Sequence, residues 1–64
     1  MMSNTEKEMW RINIENAVDA VCRIYGADVV KYVFYRYSAT NFDDLSSGNY
    51  AYVFSDLELI GNGN

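Results

Sequence analysis

The run Trp10-Arg11-Ile12-Asn13-Ile14-Glu15-Asn16-Ala17-Val18-Asp19-Ala20-Val21-Cys22-Arg23-Ile24-Tyr25-Gly26 decides the fold class. Trp10, Ile14, Ala17, Val18, Val21, Ile24 and Tyr25 recur at the spacing of one helical stripe, with Glu15, Asn16, Asp19 and Arg23 mostly off it. Upstream, Ser3-x-x-Glu6 and Thr5-x-x-Glu8 are two competing capping boxes, and either sets carboxylates at the positive end of the helix dipole. Gly26 follows the last periodic residue, where a left-handed cap favours glycine. The spacing therefore predicts a helix from about Asn4 to Tyr25.

Downstream, Asp28 to Ser38 is rich in β-branched and aromatic residues, the types enriched in strands. Helical spacing also fits it: Val30, Val33, Phe34 and Tyr37 share a face, and Asp28 is available as an N-terminal cap. Helix is the preferred reading because the flanking segments are helical, while a strand would need Tyr50 to Phe54 as its partner. Thr40 to Leu45 reads as a capped single turn, with Thr40 or Asn41 as cap, Phe42 and Leu45 inward, and Asp43 and Asp44 outward. Tyr50, Val53, Phe54, Leu57 and Ile60 form a last helical stripe, from about Ser47 to Ile60, with Gly61 expected to stop it as Gly26 stops the first. The predicted core is Ile14, Val18, Val21, Tyr25, Val33, Phe34, Tyr37, Val53, Phe54 and Leu57. The expected fold is all-α, one domain over residues 1–64: a small three-helix bundle, or a helical hairpin plus a short helix.

Sixty-four residues lie near the lower limit for independent folding. A single Cys22 excludes an intrachain disulfide, and one cysteine without histidine cannot build a structural zinc site. Half of the residues are hydrophobic and 16% aromatic, which is rich for so short a chain. Completion of the core by a homo-oligomer or by a covering partner follows as an expectation. The N-terminus has no basic and apolar leader pattern, and charges interrupt every apolar stretch well before a membrane span. With one unpaired cysteine, the expected setting is a reducing cytoplasm.

Charge is unevenly placed. The first 39 residues hold five acids and five bases, whereas the remainder holds Asp43, Asp44, Asp56 and Glu58 and no base, so the whole net charge of −4 arises there. A one-signed surface repels nucleic acid and attracts basic protein patches. Tyr32, Tyr35 and Tyr52 fall off the helical stripes, and exposed tyrosines are common at binding hot spots. These seven residues are the candidate partner-binding set, and the expected partner is another protein with a basic surface.

Catalytic chemistry finds little footing. Cys22 has no histidine to act as its base and sits at the edge of an apolar stripe. Asp43 and Asp44 fit dipole-complementing surface positions better than metal ligands, and Asp56 and Glu58, two apart, do not share a helix face. No phosphate-binding glycine loop occurs. No catalytic, metal or cofactor residue is expected.

The pattern Tyr25-Gly26-Ala27, Val33-Phe34-Tyr35-Arg36-Tyr37-Ser38-Ala39-Thr40, Asp43-Asp44-Leu45 and Val53-Phe54-Ser55-Asp56-Leu57-Glu58 resembles small uncharacterised proteins of conjugative elements and prophages from Gram-positive gut bacteria. The resemblance spans residues 25–58. It implies a helical C-terminal stripe and a host or phage cytoplasm, and no activity. Three functions are carried forward: a protein-binding module, an inhibitor of a host defence nuclease that mimics nucleic acid with its acidic face, and a helical DNA-binding regulator. The last is disfavoured by a pI of about 4.4 and by candidate recognition segments poor in bases.

Overall fold

The computed structural model describes residues 2–62. Helix α1 spans Asn4–Tyr25, α2 spans Ala27–Tyr35, and α3 spans Tyr50–Gly61, entered through a 3-10 turn at Ser47–Asn49. No strand occurs among the described residues, so the segment after Gly26 is helix. α1 pairs most extensively with α3, then with α2, and α2 and α3 touch each other to close a three-helix fold.

Local chemistry explains each boundary. The Ser3 hydroxyl accepts the Glu6 amide at 3.1 Å, so of the two capping boxes the first starts α1. Gly26 ends α1 and at once precedes α2, with φ 89° and ψ 170°. That backbone region belongs almost solely to glycine and lets a single residue turn the chain from one helix into the next. α2 starts at Ala27, one residue before the expected start, and Asp28 supplies a first-turn charge but no capping hydrogen bond.

α2 also stops earlier than Ser38. The Ala39 amide donates to the Phe34 carbonyl at 3.1 Å and the Ser38 amide to the Tyr35 carbonyl at 3.0 Å. This is a Schellman motif, with Ser38 in the left-handed position at φ 60° where glycine is usual. Buried Ala39 and buried Phe34 complete its apolar contact.

Five side chains are fully enclosed: Ile14 and Val21 from α1, Val33 from α2, and Val53 and Leu57 from α3. Around them pack Ala17, Val30, Phe34, Ala39, Phe42, Leu45 and Tyr50. Val18, Tyr37 and Phe54, expected in the core, are half-buried against it. Tyr25 is not core: it is 48% exposed, and its stripe neighbour Ile24 is 61% exposed. The reason lies in how far α3 reaches along α1. A Cβ on Gly61 would stand 3.6 Å from Val21 Cγ2, so the last turn of α3 meets α1 at Val21, short of the final turn of α1. Gly61 accordingly does not repeat the role of Gly26; it lies within the last helical turn, and Gly26 is the one positive-φ glycine among the described residues.

Thr40 to Leu45 forms bends and turns without a helical turn. Its caps are reciprocal. Asn41 Oδ1 accepts the amides of Asp43 (2.8 Å) and Asp44 (3.3 Å), while Asp44 Oδ1 accepts the amides of Thr40 (2.9 Å) and Asn41 (3.0 Å). Phe42 and Leu45 are buried, and Asp43 and Asp44 are exposed.

Candidate interaction surface

Asp28, Lys31, Tyr32 and Tyr35 follow the i, i+3, i+4, i+7 rule along α2, opposite its buried Val30, Val33 and Phe34. With Ala39 and Thr40 they line a shallow, mostly apolar groove. Tyr32 is 63% exposed and Tyr35 78%. Among the described residues no ion pair engages Lys31, although Asp28 stands one turn away. The groove thus offers two aromatic rings, one free ammonium group and a carboxylate at its end.

Tyr52, 62% exposed on α3, belongs to a second cluster. Its ring stacks nearly parallel (7°) on Tyr37, with centroids 6.3 Å apart. The Tyr37 hydroxyl donates to Asp56 Oδ2 at 2.6 Å, and Arg36 Nη1 lies 3.6 Å from the same oxygen. The bond to Asp56, aided by partial desolvation, pushes the Tyr37 phenol above its ordinary value. This cluster ties the end of α2 to α3.

The acidic residues are spread over three places, and most have internal partners. Asp43 pairs with Arg11 at 3.1 Å, and Arg11 also contacts Glu8 (3.1 Å) and Glu15 (3.9 Å) while its guanidinium sits 4.7 Å over the Phe42 ring. Hydrogen bonds that Arg11 donates to Asp43 and Glu8 hold its pKa above its already high ordinary value. Asp44 accepts the two amides named above and the Thr40 hydroxyl at 2.7 Å. Those bonds, that to the Asn41 amide foremost, lower its pKa. Asp56 is tied to Tyr37 and Arg36. Glu58 is exposed without an ion-pair partner among the described residues, and its separation of two residues from Asp56 turns the two about 200° apart on α3. The structure therefore brings Tyr32 and Tyr35 together, sets Tyr52 beside Asp56, and gathers no common acidic face.

Reasoning from sequence passed over Asp28 and Thr40 as groove residues and Arg11 as the clamp between α1 and the loop. The α2 spacing held the signal for the first. Nothing in the sequence marks Arg11 apart from the other bases. Cys22 is a half-buried free thiol packed against the core, and no group of three or more His, Cys, Asp or Glu among the described residues stands close enough to hold a metal. No helix among them is long and apolar enough to cross a membrane. Compared with known proteins, the chain matches no family model, no curated protein and no solved structure.

Proposed function

We propose that the protein is a non-catalytic interaction module that docks another protein through the tyrosines on the outer faces of α2 and α3. One observation carries the reading: Tyr32, Tyr35 and Tyr52 are each more than 60% exposed on helices whose opposite faces are fixed by the core. Rigid aromatic side chains lose little entropy on binding and supply much contact area, which is why they recur at hot spots. The setting implied by the resemblance, the cytoplasm of a bacterium carrying a mobile element, belongs to the same proposal.

The charge has a smaller part in this reading than its formal value implies. Asp43 and Asp56 are neutralised by arginines, and Asp44 is saturated by hydrogen bonds, so of the four acids after Thr40 Glu58 has the most freedom to meet a basic partner. Nucleic-acid mimicry in a defence nuclease draws correspondingly less support, since a mimic needs a continuous row of unpaired negative charge. DNA binding draws less still, because three of the five bases are engaged by acids of this chain.

The test compares three proteins for capture of partners from the native cytoplasm: wild type, Tyr32→Ser with Tyr35→Ser, and Asp43→Asn with Glu58→Gln. Loss of a specific partner from the tyrosine variant, with slower association alone for the amide variant, is expected. Equal capture by wild type and tyrosine variant would refute the assignment of the α2 face. Complete loss with the amide variant would restore the acidic-face reading. Asp44 and Asp56 stay unmodified because both hold the fold, and the helical circular dichroism of the amide variant must match wild type, since Asp43 is also the loop side of the Arg11 clamp.

A further inference from the structure

The outer face of α2 is complementary to itself. Asp28, Lys31, Tyr32 and Tyr35 fall within about 100° of one another around the helix. Among the described residues no ion pair engages Asp28 or Lys31, and both rings stand mostly in water. The face carries one acid and one base and is therefore neutral, on a chain of net charge −4. Two copies that repel each other overall can approach here.

The order of the four residues is the second observation. Asp28 and Tyr35 lie at equal distances from a point between Lys31 and Tyr32, close to the centre of α2. Both pairs about that point are chemically matched: a phenol hydroxyl donates to a carboxylate, and an ammonium group is drawn to the face of an aromatic ring. Within one helix neither pair can close. Lys31 and Tyr32 are adjacent and diverge, while Asp28 and Tyr35 lie two turns, about 10 Å, apart.

We propose that the α2 face docks a second copy of this chain, as an antiparallel, two-fold dimer centred between Lys31 and Tyr32. The Tyr35 hydroxyl of each copy donates to the Asp28 carboxylate of the other, and each Lys31 ammonium lies over the other copy's Tyr32 ring. The two-fold makes every contact twice. Sliding the copies until Asp28 faces Lys31 would put Tyr35 opposite residue 24, beyond Gly26 and off α2. A parallel pairing would set Asp28 against Asp28 and Lys31 against Lys31.

One nine-residue helix per copy falls short of the about 1,200 Å² of a standard interface, so the dimer is weak and forms at high micromolar concentration. It masks the tyrosines until a tighter-binding protein displaces the second copy. That masking rests on the reading of this face as a docking surface for another protein; the dimer itself is tested apart from it.

An amide NMR series on the full chain, from micromolar to millimolar concentration, locates the contact. Shifts are expected at residues 28–35 and at Ala39 and Thr40, with Tyr52 unmoved. Sedimentation equilibrium over the same range should give a dimer weakened about tenfold by Tyr35→Phe and about tenfold by Asp28→Asn. The two together should weaken it no further, since each removes the same bond, whereas Lys31→Gln should add its own loss. Circular dichroism should stay helical throughout, because all three positions are exposed. A monomer at millimolar concentration overturns the proposal, as do shifts centred on α1 or α3, or additive losses from the Asp28 and Tyr35 variants. Partner capture separates the two readings. A monomeric wild type that captures a protein through Tyr32 and Tyr35 refutes the dimer alone. A dimer with the expected shifts, but with capture indifferent to the tyrosine variant, refutes only the docking of another protein.

Discussion

The Tyr37 hydroxyl hydrogen-bonds Asp56 Oδ2 across 2.6 Å, joining the turn after α2 to the middle of α3. Because Arg36 approaches the same carboxylate, the contact is a three-residue knot and not an isolated pair.

Removal of that hydroxyl by Tyr37→Phe should cost about 1 kcal/mol, the usual net worth of such a bond. The folded state raises the Tyr37 pKa above the ordinary value of 10.0, so its contribution is complete below about pH 10. It fades as pH rises through the elevated folded value. Urea titrations from pH 8 to pH 11 should show a steeper alkaline loss for wild type than for Tyr37→Phe; parallel curves would separate this bond from stability.

The Asp44 carboxylate acts at the other end of the pH scale. Its folded pKa lies below the ordinary 3.8, so it stabilises the protein above about pH 4. That stability is lost as pH falls through the lowered value. Asp44→Asn should melt lower at neutral pH and lose less on acidification than wild type. An unchanged acid limb in the variant would mean that the loop bonds persist without the charge.

Ser38 occupies a left-handed position that a side chain resists. Relief of that strain in Ser38→Gly outweighs the added freedom of the unfolded chain, and a gain of about 0.5–1 kcal/mol is expected from chemical denaturation. A loss of stability would indicate that the serine side chain makes a contribution of its own.

The two glycines should answer alanine in opposite ways. Gly26→Ala has open space for the methyl group but an unsuitable φ of 89°, and should destabilise by about 1–3 kcal/mol. Gly61→Ala adds an ordinary contact to Val21 within a helical turn and should be neutral or stabilising by about 0.5 kcal/mol. Thermal melts of the two variants decide it, and a shared direction of change contradicts the backbone assignment.

Burial ranks the core residues of α3. Leu57→Ala empties a fully enclosed site and should cost about 2–5 kcal/mol, near the whole stability available to a chain of this length. Phe54 is half-buried with its ring 6.1 Å from Trp10, so Phe54→Ala should cost less than Leu57→Ala. A reversed order in equilibrium unfolding would place the α3 register a residue away from that described.

Most of the architecture was legible because helical periodicity records which side of each element is apolar. Val33 and Phe34 illustrate it: a strand-like composition yields to helical spacing, and both are buried on one face of α2. Periodicity says nothing about how far a neighbouring helix reaches, so Tyr25 reads as core although α3 ends before it. The left-handed turn at Ser38 was hidden for a related reason, since a non-glycine residue there gives no compositional signal. Exposure of the tyrosines was readable from their place off the stripes. The fate of the carboxylates was not: Asp56 looks in sequence like any surface acid, and only the return of α3 past Tyr37 gives it a partner.

Gly26 joins α1 to α2 with no slack, while the cover for both comes from α3, across a long loop. Ile14, Val21 and Val33 are enclosed only once Val53 and Leu57 have folded back on them. During synthesis the first two helices must therefore keep an apolar face in solution until α3 has been made. A ribosome that stalls before Val53 holds an adhesive hairpin in place of a folded protein.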